Sequence, residues 1–395
     1  MAAVAFDPFA YETHADPYPL YRALREEAPA YWNGAREFWA LSRHADVLAA
    51  FRDHRRFSNA GGVSLERSSA GGDPSAVASF IAMDPPRHDR LRGLVSRAFT
   101  PRRVADLEPQ VRRITAAHLG RVLDAGRCDF IQDFAAKLPM DVVSEMLGVP
   151  AGDRDELRCW ADLVLHREDG AAEVPPAGIE AAGKLLGYFA ELVAQRRRAP
   201  GIDLTSALIG AELDGDRLGD GEIMSFLFLM IIAGNETTTK LLGNAVYWLT
   251  HNPDERARVA ADRTLIPDWV DETLRYDNST QALARTLTED VSLHGHTLRA
   301  GQKVLLLIGS ANRDERVFDE PDRFRIGRDQ SESLSFGKGT HFCLGASLAR
   351  LEGRVALEAV HDHLRDWAID PAGLVRVHSA NVRGFASMPM RFTPA

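Results

Sequence analysis

The sequence has few cysteines, no excess of positive charge and no long apolar run. Its 395 residues include three cysteines, at positions 128, 159 and 343. So sparse and odd a set argues against a secreted disulfide framework and favours a reducing, cytoplasmic compartment. Lys plus Arg number 47 and Asp plus Glu number 56, which gives a net charge of −9. This balance argues against a protein that binds nucleic acid through bulk positive charge.

No segment is apolar enough to cross a membrane. The most apolar stretch, residues 226–233, is soon interrupted by Asn235 and Glu236, whereas a membrane-spanning helix needs about 20 consecutive apolar residues. The N-terminus has neither the basic region nor the apolar run of a secretory signal. We therefore expect a soluble protein with no membrane span.

Helical patterns dominate, and the short strand patterns between them do not alternate regularly with helices. The clearest helix covers residues 221–250, and a shorter one covers 267–276. Gly- and Ser-rich residues 58–74 predict a loop. Strand patterns occur at residues 30–32, 37–41, 283–287 and 304–308. The absence of βα alternation argues against a parallel-sheet fold, so we predict a mainly α protein with small β-sheets.

A glycine-rich segment ending in a cysteine leads into the last clear helix. Residues 336–345 read Phe-Gly-Lys-Gly-Thr-His-Phe-Cys-Leu-Gly. The start of a helix presents free N–H groups and a partial positive charge, which favour a thiolate over a thiol. The sulfur of Cys343 could therefore be a nucleophile or a metal ligand. A lone cysteine is more often a small buried hydrophobe, so the surrounding residues must decide.

Five positions of this segment, Phe336, Gly339, His341, Cys343 and Gly345, resemble the heme-ligand loop of the cytochrome P450 family. The resemblance implies the cytochrome P450 fold and heme b (iron protoporphyrin IX) as cofactor. It makes Cys343 the proximal thiolate ligand of the iron, a ligand that favours O–O cleavage. It also implies that His341 contacts a heme propionate and that Phe336 packs near the sulfur.

The middle of the long helix is unusually polar for an apolar helix. It reads Ala233-Gly234-Asn235-Glu236-Thr237-Thr238, and a glycine in a helix interior costs about 1 kcal/mol relative to alanine. From these residues alone, a polar kink and a functional site both remain open. The segment resembles the oxygen-activation motif of the family. By that resemblance, Ala233 and Gly234 leave room for dioxygen, Thr237 hydrogen-bonds the oxygen or a water, and Glu236 relays protons.

Two further sets of charged residues resemble family motifs. Glu272 and Arg275 share a helix face and match a Glu-x-x-Arg core motif. Its third partner is expected to be Arg323, with Arg313 as the alternative. Without this context the pair is an ordinary surface ion pair.

His88 and Arg92 are four residues apart, as in the family's propionate-binding pair, and Arg285 matches another propionate-binding arginine. A solvated charged face is the simpler interpretation of the first two. Donors around two buried carboxylates also make physical sense, because an unpaired buried charge is costly.

The sequence departs from the family pattern after the Glu-x-x-Arg helix. Many soluble members carry a proline there, but residues 277–281 read Asp-Asn-Ser-Thr-Gln. This loop leads to substrate-contacting positions, so the departure leaves open how Gln281, Ala282 and Leu283 are placed.

The resemblance implies a monooxygenase that hydroxylates or epoxidises a lipophilic small molecule with O2. Two electrons would come from a ferredoxin and an NAD(P)H-dependent ferredoxin reductase. We expect one domain over residues 1–395, acting as a monomer in the cytoplasm. A peroxide-driven peroxygenase and a non-catalytic heme sensor are the alternatives. The substrate pocket is predicted from apolar residues at Val63, Leu65, Phe80, Ile81, Phe226, Leu229, Met230 and Leu283.

A basic docking face for the electron donor is a further hypothesis. It comprises positive residues on or beside the segments that flank the cysteine: Arg97, Arg102, Arg103, Lys338 and Arg350. Such a patch on an acidic protein would attract an acidic partner.

Overall fold

Helices form most of the computed structural model, which describes residues 4–65, 79–96, 99–213, 215–379 and 381–395. Part of the predicted 58–74 loop, and Arg97 of the proposed docking face, lie outside these residues. The helices of eight residues or more are Tyr18–Glu27, His44–Arg52, Arg87–Ser96, Glu108–Leu123, Lys137–Leu147, Arg154–Leu165, Pro176–Arg198, Asp220–Thr250, Pro253–Ala261, Ile266–Tyr276 and Ala346–His363. Within the described residues, every helix is too short or too polar to span a lipid bilayer.

The strands are short and form small, mostly antiparallel sheets. The largest sheet has the order Ala30–Asn33, Phe38–Leu41, Lys303–Leu307, Ala282–Leu287 and Phe57–Ser58. Only Lys303–Leu307 and Phe38–Leu41 run parallel in it. Leu364–Ile369, Pro389–Pro394 and Arg127–Asp129 form a three-stranded sheet. The remaining pairs are Glu212–Leu213 with Asp216–Arg217, Val291–Leu293 with His296–Leu298, and Val375–Arg376 with Phe385–Ser387.

The 31-residue helix Asp220–Thr250, here called the long helix, runs through the core. At about 1.5 Å per residue it is roughly 46 Å long. At its start, the backbone N–H of Gly219 donates to Oε2 of Glu222, 3.0 Å away, so a donor left free by the helix geometry is satisfied. Apolar residues such as Ile231 and Leu242 are fully buried along it, which explains its nearly continuous apolar sequence.

Three apolar clusters surround these elements. The largest gathers side chains of the long helix with those of the helices packed around it, including Leu138, Leu185 and Trp269. The other two cover opposite faces of the five-stranded sheet, because alternate residues of a strand point to opposite sides. Leu306 belongs to one of these clusters and Leu305 to the other.

The predicted mainly α class is confirmed, and the strongly periodic elements lie where they were predicted. The expected helix over 221–250 is Asp220–Thr250, and the one over 267–276 is Ile266–Tyr276. The strand expected at 304–308 occurs one residue earlier, at Lys303–Leu307.

Candidate functional site

Residues 336–345, here called the cysteine segment, fold into a tight turn directly before the helix Ala346–His363, here called the cysteine helix. The backbone N–H of Cys343 donates to the carbonyl oxygen of Phe336, 2.9 Å away. Gly339 has φ +72°, and a Cβ built on it would lie 2.7 Å from the carbonyl oxygen of Phe51. A side chain is therefore excluded at position 339 both by backbone conformation and by close approach.

Cys343 has an exposed side-chain surface but a strongly desolvated thiol. Burial is the largest influence on the thiol and raises its pKa. The N–H of Gly345 and the charges of Arg92 and Arg350 act in the opposite direction. Desolvation by the protein therefore outweighs the expected preference for a thiolate. A bound metal would reverse this balance, because a coordinating thiol is deprotonated.

Four donor groups converge beside the cysteine segment. One carboxylate, that of Asp89, pairs with one of them: its Oδ1 lies 2.8 Å from Nδ1 of His88. The rings of His88 and His341 lie 4.2 Å apart, and the Nε2 atoms of both are buried without a hydrogen-bond partner. Arg92 donates to the carbonyl oxygen of Phe342 at 2.5 Å. Burial lowers the pKa of His341 to about 3, and the charges of His88, Arg285 and Arg92 act in the same direction.

Arg285 is a buried cation without an ion-pair partner in the part of the chain that the structure describes. It is 3% exposed and donates to the carbonyl oxygen of its neighbour Ala284 at 2.7 Å. Burial lowers its pKa to about 10, and the more distant charge of Asp84 only partly offsets this. Within the described ranges no carboxylate forms an ion pair with it. A buried anion at this place would satisfy Arg285 together with the other three donors.

A series of ring contacts joins the long helix to the cysteine segment. Phe226 of the long helix stacks on Phe80, with ring centroids 6.1 Å apart. Phe80 in turn meets the ring of His88 edge-on at 5.7 Å, and His88 contacts His341. The structure therefore joins four predicted site residues through consecutive ring contacts: Phe226, Phe80, His88 and His341.

The middle of the long helix contains exposed and buried residues within one turn. Ala233 is exposed although Asn235 and Glu236 are buried, and the hydroxyl of Thr237 donates to the carbonyl oxygen of Ala233 at 2.8 Å. Gly234 also packs closely against a neighbouring helix. A Cβ built on it would lie 3.1 Å from Cγ2 of Val143, so its missing side chain allows close helix packing.

Glu272 and Arg275 form the predicted ion pair, but the expected third partner is wrong. Two hydrogen bonds of 2.8 Å join the fully buried side chains. The side chain of Arg323 is 62% exposed and faces Glu320; only its carbonyl oxygen contacts Arg275, at 3.4 Å.

The arginine that reaches Glu272 is Arg328, whose Nε lies 3.6 Å from Oε1 and whose side chain is 4% exposed. The alternative, Arg313, instead donates to the carbonyl oxygen of Tyr276 at 2.8 Å and pairs with Asp322.

The loop without the family proline is held by a buried carboxylate. Asp277 is 1% exposed and accepts hydrogen bonds from Tyr18, Trp248 and Arg383 at 2.6 to 2.8 Å. The guanidinium of Arg383 and these hydrogen bonds overcome burial and lower its pKa. Polar contacts therefore fix the path of the chain before Gln281.

The predicted pocket residues do not all lie together. Phe80, Phe226, Leu229 and Met230 belong to the cluster around the long helix. The partly buried Leu283 packs on the sheet face that also carries Val304 and Leu306, whereas Leu65 packs on the opposite face. Val63 contacts the sheet through its carbonyl oxygen, which accepts from the N–H of Ala284 at 2.7 Å; Ile81 is half-buried. The predicted pocket residues therefore belong to three different apolar clusters.

A sequence model of the cytochrome P450 family matches residues 180–365. Cytochrome P450 123 of Mycobacterium tuberculosis is 57% identical over 98% of this chain and 96% of its own length. The chain belongs to the cytochrome P450 family.

Other members of the cytochrome P450 family resemble the chain over nearly its whole length. Vitamin D(3) 25-hydroxylase of Pseudonocardia autotrophica is 40% identical over 96% of this chain and 94% of its own. The solved structure of a cytochrome P450 from Chondromyces apiculatus superposes with a TM-score of 0.91, at 37% identity and 99% coverage of both chains. The fold is therefore the cytochrome P450 fold, and the protein is a monooxygenase of the heme-iron type.

The residues around Cys343 fit a heme. A heme carries two carboxylates, which His88, His341, Arg92 and Arg285 would satisfy. Among the described residues no group of three or more His, Cys, Asp or Glu side chains could hold a metal ion. A single cysteine accordingly suits an iron whose remaining ligands come from a macrocycle.

Three residues of this region were not predicted from the sequence. Lys240 contacts Glu236, Arg328 contacts Glu272, and the buried Glu352 of the cysteine helix contacts Thr238 of the long helix. Only the contact of Lys240 could have been predicted from the sequence, because a lysine four residues after a glutamate shares its helix face. The other two contacts join segments that are far apart in the chain.

Proposed function

We propose that this cytochrome P450, acting as one domain over residues 1–395, inserts oxygen into a lipophilic small molecule at a heme b held by Cys343. The observation that carries this proposal is the set of unpaired donors beside the cysteine. His88 and His341 each keep a buried ring nitrogen without a partner, and Arg285 is buried without an ion-pair partner among the described residues. Two propionates would pair with these groups and thereby orient the macrocycle over the sulfur.

When bound, the heme supplies the activation of O2, with one oxygen atom entering a C–H or C=C bond and the other leaving as water after two electrons and two protons are added. The chain must deliver those protons. Thr237 holds a hydroxyl that is fixed by its hydrogen bond to the carbonyl oxygen of Ala233. Glu236, the preceding residue, supplies a carboxylate that can pass a proton towards this hydroxyl.

The proposed substrate class rests on the apolar cluster and on relatives. Phe80, Phe226, Leu229 and Met230 belong to the apolar cluster around the long helix. A Bacillus megaterium cytochrome P450 solved in complex with testosterone is 32% identical over 96% of this chain and 98% of its own, with a TM-score of 0.90. A relative is named for hydroxylation of vitamin D(3). We therefore favour a compact, mostly apolar substrate of the steroid type.

Electrons are proposed to come from a ferredoxin and its NAD(P)H-dependent reductase. Arg102 and Arg103 are exposed, and Arg350 is 44% exposed while its guanidinium lies 4.6 Å from the ring centroid of Phe336. Arg350 also pairs with Asp271 at 2.7 Å, so the positive charge that would attract an acidic donor comes mainly from Arg102 and Arg103. Charge reversal at Arg103 and at Lys338 should slow electron transfer at low salt, and equal rates would contradict this docking face.

The absorption spectrum of the reduced protein with carbon monoxide tests the ligand. A thiolate ligand gives a characteristic red shift, which Cys343→His should abolish while Cys159→Ala, at an exposed cysteine, should retain it. Turnover then separates the alternatives. A monooxygenase forms product with a surrogate ferredoxin and reductase, a peroxygenase requires peroxide, and a sensor forms none with either. Failure of the parent protein to show the red shift would overturn the proposal.

A further inference from the structure

One phenylalanine lies between the cysteine segment and the buried Arg285. Phe51 is the penultimate residue of helix His44–Arg52 and is 5% exposed. The guanidinium of Arg285 lies over its ring, with Cζ of the arginine 5.4 Å from the ring centroid. A cation within about 6 Å of a ring centroid is attracted by the negative face of the ring. Phe51 therefore gives the buried cation a partner that carries no charge of its own.

The same residue also contacts the cysteine segment, through both its backbone and its ring. A Cβ built on Gly339 would lie 2.7 Å from the carbonyl oxygen of Phe51 and 3.3 Å from Cα of Arg52, so the two backbones touch directly. A Cβ built on Gly337 would lie 3.6 Å from Cε1 of the Phe51 ring, which is an ordinary contact distance. The end of helix His44–Arg52 thus packs on the cysteine segment and on Arg285 at once.

The ring contact matters because Arg285 has few other contacts that would fix it. Its side chain donates to the carbonyl oxygen of the neighbouring Ala284 at 2.7 Å, and among the described residues it forms no ion pair. An arginine side chain has many rotamers, and fixing one of them on binding costs conformational entropy. A ring face that attracts the guanidinium lowers this cost, because it restricts the side chain before a ligand binds.

We propose that Phe51 is a positioning residue that holds Arg285 in the orientation in which it binds a heme propionate, and that the negative face of the ring is the feature required. The arginine that would bind a propionate and the segment that would bind the iron then share one support, the end of helix His44–Arg52. This inference rests on the proposed function, because Arg285 meets a propionate only if the protein binds heme.

The first test changes the electron density of the ring and keeps nearly its shape. Trifluorophenylalanine and pentafluorophenylalanine are placed at position 51, since fluorine withdraws electron density from the ring face. Transfer of heme to a scavenging apoprotein should become faster with each step of fluorination, by at least about threefold for pentafluorophenylalanine. The control is the same pair of replacements at Phe57, which is also 5% exposed and belongs to the same apolar cluster. These should leave the rate of heme transfer at that of the parent.

The second test asks whether the effect passes through Arg285. In the Arg285→Met background, pentafluorophenylalanine at position 51 should not accelerate heme transfer further, because the cation that the ring attracts is gone. Phe51→Leu makes the same comparison with an ordinary amino acid, since leucine is apolar but has no aromatic face. It should accelerate heme transfer in the parent and have no further effect in Arg285→Met.

A spectroscopic measurement reports the propionates directly. In resonance Raman spectra of the ferric holoenzyme, the bending bands of the propionates shift when hydrogen bonds to them weaken. Arg285→Met should shift one of these bands, and pentafluorophenylalanine at position 51 should shift the same band in the same direction by a smaller amount. Arg299→Met, which removes an exposed arginine, should shift neither band.

The outcomes separate this inference from the proposed function. If pentafluorophenylalanine changes heme transfer equally at positions 51 and 57, or if its effect at position 51 persists in Arg285→Met, Phe51 acts only through apolar packing. The inference is then wrong, and the monooxygenase proposal stands. If the reduced parent protein with carbon monoxide lacks the thiolate spectrum, the proposed function itself is wrong.

Discussion

Nε of Arg328 lies 3.6 Å from Oε1 of Glu272, and both side chains are almost completely buried. Glu272 thereby lies between two guanidinium groups, since Arg275 donates to both of its oxygens. The N–H of Arg325 and the side-chain amide of Gln330 donate to the same carboxylate. This network fastens the irregular segment before the cysteine to the helix Ile266–Tyr276.

Replacement of Arg328 should destabilise the fold, and replacement of Arg323 should not. Arg328→Met removes charge-assisted hydrogen bonds to the carbonyl oxygens of Asp319 and Glu320 as well as the contact with Glu272. We expect a loss of roughly 2 kcal/mol or more in the free energy of unfolding. Arg323→Met, at a side chain that is 62% exposed, should change it by less than about 0.5 kcal/mol. Denaturant unfolding of the holoenzyme measures both, and similar losses would contradict the assignment of Arg328.

This pair of arginines also shows where prediction from the sequence ends. Glu272 and Arg275 could be paired from spacing alone, because residues three apart on a helix are neighbours. Arg328 lies in an irregular segment, where no period relates position in the chain to position in space. Lys240 could have been found from its helical spacing to Glu236. The contact of Glu352 with Thr238 could not, because it depends on how two helices pack.

Removal of the buried charge at position 285 should weaken heme retention. Arg285→Met deletes a donor that lacks an ion-pair partner among the described residues. The interaction that is lost is therefore the one with the propionate that Arg285 would bind. A charge-assisted hydrogen bond contributes about 1.5–3 kcal/mol, which corresponds to heme loss about tenfold faster or more. Transfer of heme to a scavenging apoprotein measures the rate.

The control for this experiment is Arg299→Met. Arg299 is 66% exposed and pairs with Asp290 at the surface, so its removal should leave heme transfer unchanged. If Arg285→Met lost heme no faster than Arg299→Met, Arg285 would not be a propionate ligand.

The hydroxyl of Thr237 should be needed for efficient use of electrons. Thr237→Ala removes the group that donates to the carbonyl oxygen of Ala233, and we expect heme binding to be kept while hydrogen peroxide release per NADH rises several-fold. Thr237→Ser keeps the hydroxyl and should resemble the parent. Thr239→Ala is a second control, because Thr239 bonds the carbonyl oxygen of Asn235 in the same way but is fully buried. Unchanged peroxide release in Thr237→Ala would contradict the proton-relay role.

The stability of the protein should fall between about pH 4.5 and 8 because of Glu352. Burial raises the pKa of this carboxyl from 4.5 to about 8, a shift that its bond with Thr238 only partly offsets. In this range the folded protein keeps a proton that the unfolded chain has released. The contribution of Glu352 to the free energy of unfolding is therefore fully present below pH 4.5. It is lost as the pH rises through the pKa of the folded protein, by up to about 1.4 kcal/mol per pH unit.

Glu352→Gln should remove that contribution, since an amide keeps the shape of the carboxyl but does not ionise. Denaturant unfolding at several pH values measures the slope of the unfolding free energy against pH for parent and variant. Glu191→Gln, at an exposed position of helix Pro176–Arg198, is the control that should retain the slope of the parent. Because every other titrating group is common to the proteins compared, the difference in slope isolates Glu352. Equal slopes in Glu352→Gln and the parent would mean that the carboxyl is ionised in the folded protein, with a partner for its Oε1 atom.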